Sequence, residues 1–334
     1  MSPASVFLSL IAILTGSLLV ARAAHCSRND KGWQGPLLAL LSLLTSLLSI
    51  ELYFNLHEPL SDNFAFTRSA HRWRERYWHP INTAGYRDYV WPSADEIREQ
   101  RLVLVIGDSF AAGAGIKSID QRFSGVLGKL LGDGWRVVTL AKPGSGPLAQ
   151  RKFLERFPLP ADVVIYTYYI NDVTDAALEL GQSRSFAFEE SPSLLGLLSL
   201  SDAADTLYWR YIRVNSGAFG QEYWDFLRTC FQSDKTLNTH LRHLTRLDAA
   251  APVDSHRFAV LFPHLPRVSE TQSFTKQVAE HYGSIGVNVL DLAPLLLGRD
   301  PGNLVVNSID YHPSIEVHRE VGELLTKDIS EIEW

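Results

Sequence analysis

Apolar positions along the chain fall into two regimes. Up to about residue 56 they form long stretches; from about residue 101 they come in short runs separated by amphipathic segments. The first stretch, from about Ser2 to Ala21, carries no charged side chain. The second runs from about Pro36 to Ile50 and continues more weakly to Leu56. A helix needs roughly 20 apolar residues to cross a bilayer, which the first stretch supplies. The second is shorter, but Trp33 and Tyr53 flank it, about 30 Å apart at 1.5 Å per residue, so both rings can sit at membrane interfaces. Leucines fall on every face of both stretches, which suits lipid rather than a half-exposed surface. A two-helix transmembrane hairpin over residues 1–56 is therefore expected. Two alternatives stand beside it. Ala21-Arg22-Ala23 has the look of a leader-cleavage site, although no Lys or Arg precedes the apolar run. A hairpin buried in a soluble core is the other.

Between the stretches lie Arg22, Arg28 and Lys31 against Asp30. Positive connectors stay in the cytoplasm, which puts both chain ends, and the large domain, on the extracytoplasmic (periplasmic) side of an inner, cytoplasmic membrane. Arg68, Arg72, Arg74 and Arg76 lie near the membrane exit and weigh the other way.

Residues 57–100, with Pro59, Pro80 and Pro92 and many aromatics and arginines, read as a connector packed on the domain that follows. From residue 101 onward, Leu102 to Ile106, Val137 to Leu140, Val163 to Tyr169, Phe258 to Phe262 and Val287 to Leu290 are continuous apolar runs. Such runs are strands buried on both faces. Helical patterns lie between them: from near Gln121 to Gly132, from Pro147 to before Pro158, and from Ser269 to Tyr282. The alternation predicts an α/β fold with a mainly parallel five-stranded sheet over residues 101–334. An insertion at about 173–250 interrupts it. This segment is partly helical, with Leu237, Leu241, Leu244 and Leu247 at helical spacing. It carries Tyr208, Trp209, Tyr211, Tyr223, Trp224 and Phe226, which either pack it to the body or wall a substrate site.

Composition narrows the function. The net charge is -6, without the basic footprint of a nucleic-acid binder. Two cysteines, Cys26 and Cys230, are too few for a disulfide scaffold or a cysteine-built zinc site. If the hairpin reading holds, they lie on opposite sides of the membrane and cannot pair.

Four short motifs carry candidate chemistry. Gly107-Asp108-Ser109-Phe110 follows the first strand directly, where open parallel sheets bind ligands. A serine there, behind a glycine, is placed as a nucleophile; an ordinary capped turn is the alternative. Ala141-Lys142-Pro143-Gly144-Ser145-Gly146 ends the second strand and can offer the Gly144 amide to an oxyanion. Gly144 to Ala149 also fits a dinucleotide fingerprint, but Pro147 would remove an amide that should face a pyrophosphate. Asn171-Asp172 ends the third strand, and its amide side chain can donate to the same oxyanion. In Asp310-Tyr311-His312-Pro313, an extended backbone puts Asp310 and His312 on one side, so that the carboxylate can orient the imidazole. Pro313 suits the first turn of a closing helix.

Together these motifs resemble the blocks of the SGNH (GDSL-like) serine hydrolases: Gly107-Asp108-Ser109 block I, Gly144 block II, Asn171-Asp172 block III, and Asp310 with His312 block V. Asn82-Thr83-Ala84-Gly85-Tyr86-Arg87-Asp88 resembles a preamble found in many bacterial members. The resemblance covers about residues 101 to 320. It implies a three-layer, flavodoxin-like α/β/α sandwich. Ser109 is then the nucleophile, His312 the base within hydrogen-bond reach of it, and Asp310 the orienter. The Ser109 and Gly144 amides and the Asn171 side chain form the oxyanion hole, with no cofactor or metal. The sequence departs from the pattern at Tyr169, where block III has glycine, at Thr139, where block II has asparagine, and in the single residue between Asp310 and His312. The last leaves Asp291 as a second candidate orienter.

The expected activity is hydrolysis of a short acyl ester, acetyl among the candidates, on an envelope glycan or small molecule. The alternatives are O-acyl transfer to an extracytoplasmic polysaccharide and non-catalytic glycan binding on a hydrolase frame.

Overall fold

The computed structural model describes residues 34–57, 59–63, 67–89, 91–93, 95, 99–182, 201–208 and 218–334, together with Gly16. The rest of the first apolar stretch, the charged connector after it, Cys26, Trp33, Trp209 and Tyr211 lie outside these residues.

In chain order the elements begin with helices α1 (Gln34–Leu56) and α2 (Arg68–Tyr77). Then come β1 (Arg101–Gly107), α3 (Ser109–Ala112), α4 (Phe123–Leu131), β2 (Trp135–Ala141), α5 (Pro147–Arg156) and β3 (Val163–Tyr169). Helices α6 (Thr174–Glu179), α7 (Asp202–Leu207), α8 (Ala218–Gln232) and α9 (Asp234–Asp248) follow. The chain closes with β4 (His256–Phe262), α10 (Val268–Ser284), β5 (Asn288–Asp291), β6 (Val305–Asn307), β7 (Asp310–Pro313) and α11 (Ile315–Ser330). Two compact units result. One spans Met1–Leu60, Ala65–Trp73 and Phe188–Gly217; the other spans Ser61–Phe64, Arg74–Ala187 and Ala218–Trp334.

In the first unit, Leu38–Leu56 is the one described helix long and apolar enough to cross a membrane, and none of it is buried. Its 19 residues span about 28 Å. Thr45, Ser46 and Ser49 return their hydroxyls to the carbonyls four residues back, at 2.8, 2.9 and 2.8 Å, which satisfies these polar groups within the helix. Gly16 is buried against this helix: a Cβ there would lie 1.9 Å from Thr45 Cγ2. Near the end of α1, the Glu51 carboxylate accepts from the Ser201 hydroxyl and from the Asp202 and Ala203 amides at 2.5, 2.6 and 3.2 Å. It thereby occupies the positive start of α7. Asp202 in turn accepts from Arg68, Arg72 and Asn55 at 2.8, 2.6 and 2.6 Å.

The second unit is built on a five-stranded sheet in the order β2-β1-β3-β4-β5, parallel throughout. Every residue of β3 is buried, and all of β1 but Arg101, as strands covered on both faces must be. Right-handed crossovers put α4 on one face; the order then reverses at β1 and sends α5 and α10 to the other. Helix α11 packs on α4. The reversal between β1 and β3 makes the switch point where open sheets form a crevice beyond their carboxyl ends. The 218–248 part of the insertion is helical, and α9 packs on α5. Phe231 stacks on Phe274 of α10 at 4.4 Å and Trp224 lies 5.9 Å from the same ring, so these aromatics pack the insertion to the body.

One local expectation is corrected. Pro313 belongs to β7, which pairs antiparallel with β6. The closing helix starts later, with Ser314 as its cap accepting from the Val317 amide at 3.3 Å.

The preamble motif has a packing role. Arg87 is buried, and its guanidinium donates to the carbonyls of Tyr77, Ala112, Gly113, Ile116 and Lys117 at 2.6–3.3 Å. Arg122 donates to the Arg87 carbonyl and to Asp88 Oδ1, while Asp88 Oδ2 accepts from the Thr139 amide at 2.7 Å. That last contact covers the outer edge of β2, which otherwise exposes unpaired backbone. The Thr139 hydroxyl donates to Ser124 at 3.0 Å.

Candidate active site

Ser109 opens α3 two residues after β1. The turn needs a residue without a side chain at Gly107, where a Cβ would lie 2.7 Å from the Ala111 Cβ and 2.8 Å from the Thr167 Cβ. Asp108 caps the helix, its Oδ1 accepting from the Phe110 amide at 2.8 Å. Its other oxygen accepts from the Ser109 hydroxyl at 3.4 Å, a long and weak contact.

The three motif loops leave adjacent strands. Gly107 of β1 pairs with Ala141 of β2, and the Ser145 hydroxyl donates to the Gly107 carbonyl at 3.0 Å. This binds the Gly144 loop to the base of the Ser109 turn. Gly144 is exposed, adopts φ +74° and has open space where a Cβ would be. On the other side, Tyr169 at the end of β3 stacks on Phe110 with ring centroids 4.1 Å apart. Its hydroxyl pairs with His264 Nδ1 at 2.8 Å. The ring thus fills the position where a glycine was anticipated and ties β3 to α3. Asn171 follows, half-buried, and Asp172 beside it is buried and accepts from Gln150 at 3.3 Å.

His312 lies over the same crevice, its ring 5.3 Å from that of Phe110. Its Nδ1 meets Asp310 Oδ1 at 2.5 Å, and the same oxygen accepts from the His312 amide at 3.2 Å. The carboxylate folds back onto its own chain two residues on, as Asx turns do, so one intervening residue is enough spacing. Asp291 does not reach the ring: its carboxylate caps the Ala293 amide at 3.0 Å and contacts Thr275 at 3.4 Å. Among the described residues no hydrogen bond engages the His312 Nε2. No hydrogen bond joins it to Ser109, whose hydroxyl turns to Asp108 instead. Among the described residues no cluster of His, Cys, Asp and Glu could hold a metal.

Charge follows burial. Burial alone would lower the His312 imidazole, but Asp310 outweighs it and the net shift is upward. Burial would raise the Asp310 carboxyl, but His312 and then Ser61 carry it below its usual range. Burial pushes Asp108 and Asp172 up, and Asp108 adds to the rise at Asp172.

No protein-family model matches the chain, and no curated protein is significantly similar to it. Several solved structures are similar over most of their length. A member of the lipolytic protein G-D-S-L family from Veillonella parvula is 9% identical, with a TM-score of 0.44, over 70% of this chain and all of its own. The lipase/acylhydrolase from Enterococcus faecalis is 13% identical, TM-score 0.42, over 69% of this chain and 95% of its own. A carbohydrate acetylesterase family member from Sinorhizobium meliloti is 14% identical, TM-score 0.37, over 69% and 97%. Similarity at this level leaves the functional reading to the site's own atoms. The solved structures that the chain is similar to are thus described as a lipolytic G-D-S-L family member, a lipase/acylhydrolase and a carbohydrate acetylesterase family member.

Proposed function

We propose that the chain is a membrane-anchored serine ester hydrolase acting on a short acyl ester of an envelope glycan or small molecule. The observation that carries this reading is the grip of Asp310 on His312 beside the Ser109 turn, at the carboxyl ends of three adjacent strands.

In the mechanism, rotation about the Ser109 Cα–Cβ bond takes the hydroxyl from Asp108 to His312 Nε2, as unliganded serine sites often require. The oxygen attacks the ester carbonyl carbon while Nε2 takes its proton. Asp310 holds the ring by Nδ1 and stabilises the imidazolium. The Ser109 and Gly144 amides and the Asn171 side chain receive the oxyanion. Collapse breaks the bond to the alcohol, which leaves with the proton from His312. Water then attacks the acyl-serine, and the acid departs. Protein groups supply every role, so no step calls for a metal or cofactor.

The acceptor decides between hydrolysis and transfer, since a sugar hydroxyl in place of water gives O-acyl transfer by the same steps. The test is incubation of the purified protein with acyl-nitrophenyl esters of varied chain length, with and without glycan acceptors. Ester cleavage independent of acceptor supports hydrolysis; product that forms only with acceptor makes the protein a transferase. No turnover of any ester leaves the glycan-binding alternative.

Because the Asp310 carboxylate raises His312 above its ordinary pKa, the base form needed for attack is lost as pH falls through that raised value. The acid limb of kcat/KM should therefore lie above pH ~6.5, the unperturbed imidazole value. Asp310→Asn should move it downward; an acid limb that ignores this change would contradict the pairing.

Anchoring rests on the exposed apolar helix Leu38–Leu56 and on Gly16 buried against Thr45, a small-residue contact of the kind membrane helices favour. The orientation proposed from the connector charges is extracytoplasmic. Alkaline phosphatase fused after Trp334 should be active; an inactive fusion reverses the orientation.

A further inference from the structure

The Asp310 carboxylate uses a single oxygen on His312. Oδ1 takes both the ring nitrogen and the backbone amide, while Oδ2 is sealed from solvent with no hydrogen-bond partner among the described residues. An unpaired carboxylate oxygen in a dry site is unfavourable, so what stands opposite it matters. Gly115 leaves room there: a Cβ on that residue would lie 2.9 Å from Oδ2. A buried donor from a neighbouring segment, Ser61, bears on the same carboxylate. Its hydroxyl is likewise buried and, among the described residues, without a hydrogen-bond partner, and after His312 it is the side chain that most favours the ionised Asp310 carboxylate.

Ser61 is held in place independently of that contact. Its carbonyl accepts from the Asn307 side chain at 3.1 Å. Two residues on, the Asn63 amide donates to the Ile309 carbonyl at 3.2 Å, and the Asn63 side-chain oxygen accepts from the Tyr311 amide at 2.7 Å. Residues 61–63 are thus hydrogen-bonded to positions on both sides of Asp310. The chain reaches this clamp shortly after α1 ends at Leu56 and well before the α/β alternation begins.

We propose that Ser61 is a positioning residue of the acid–base pair: its hydroxyl donates to Asp310 Oδ2 and fixes the carboxylate plane that presents Oδ1 to His312. The inference rests on the assignment of Asp310 and His312 as that pair. The active site is then completed by the segment that follows the membrane helix, and a chain beginning at residue 101 would carry all the family motifs yet an unclamped carboxylate.

The test uses the full-length protein in detergent with Ser61→Ala, Ser61→Thr and Ser61→Cys. Two quantities are read: kcat and KM on a short acyl-nitrophenyl ester, and the His312 titration by NMR of labelled histidine, assigned by its loss in His312→Gln. In Ser61→Ala, kcat should fall about tenfold, the size of one lost hydrogen bond to a charged group, with KM within about twofold. The His312 titration should move upward, because the imidazolium then meets a carboxylate whose charge the hydroxyl no longer shares. Ser61→Thr should restore both readings, and Ser61→Cys, a weaker donor of similar size, should fall between. An unmoved His312 titration in the alanine protein, or in the cysteine protein if alanine does not fold, overturns the proposal. So does an equal loss in the alanine and threonine proteins. If the parent shows no Ser109-dependent hydrolysis, the proposed function fails, while the titration still decides whether Ser61 acts on Asp310.

Discussion

Ser109→Ala should reduce ester turnover by at least about a thousandfold while leaving the protein folded. The size follows from losing the nucleophile: only the oxyanion donors and substrate binding remain to accelerate attack by water. The small structural effect follows from the site. The Ser109 hydroxyl makes one long contact, 3.4 Å to Asp108, and that carboxylate keeps its cap on the Phe110 amide. Thermal melting should therefore shift by no more than about 2 °C. Initial rates on an acyl-nitrophenyl ester and a melting curve check both halves. Undiminished turnover would remove Ser109 from the chemistry; a large loss of stability would make any activity loss uninformative.

Arg87→Met should be the most damaging single change to the fold of the second unit. The five carbonyls that Arg87 serves include Ala112, Gly113, Ile116 and Lys117, the turn leaving α3. Methionine fills the volume and donates to none of them. Several buried acceptors left unpaired should cost about 3–5 kcal/mol, or a fall in melting temperature of about 10 °C. Lysine should not rescue, because a point charge with three donors cannot span a planar fork's acceptors. Burial, and Arg122 beside it, already push the Arg87 guanidinium down to about 9, and its carbonyl acceptors help to hold the cation there. Near-native melting in Arg87→Met would show the carbonyls find water or other donors.

The sheet was legible because its central strands are buried on both faces. Continuous runs such as Val163–Tyr169 coincide with an observed strand, and the others differ by a few end residues, where polar positions such as Arg101 and His256 still pair. The helix from Pro147 was legible from its first-turn proline. The motif residues were legible by their place after strands. What was not legible depends on distance along the chain. Ser61 and Asn63 lie far from Asp310 in sequence, and nothing local marks a serine after an apolar stretch as a neighbour of a histidine motif. Arg87 was visible as part of a motif, but its partners are backbone carbonyls, which carry no side-chain signature. The β6–β7 pairing was missed because Val305–Asn307 is too short for a period to emerge. The Tyr169 departure looked like a weakened motif; in the fold the ring packs on Phe110 and holds the site.

The central claim is that Ser109 is a nucleophile activated by His312. It is tested most directly by labelling the full-length protein with a fluorophosphonate and locating the adduct by peptide mass. The account predicts one adduct, on Ser109, lost in Ser109→Ala and slowed at least about a hundredfold in His312→Gln. An adduct on another serine, or labelling of Ser109 at an unchanged rate without His312, would contradict it.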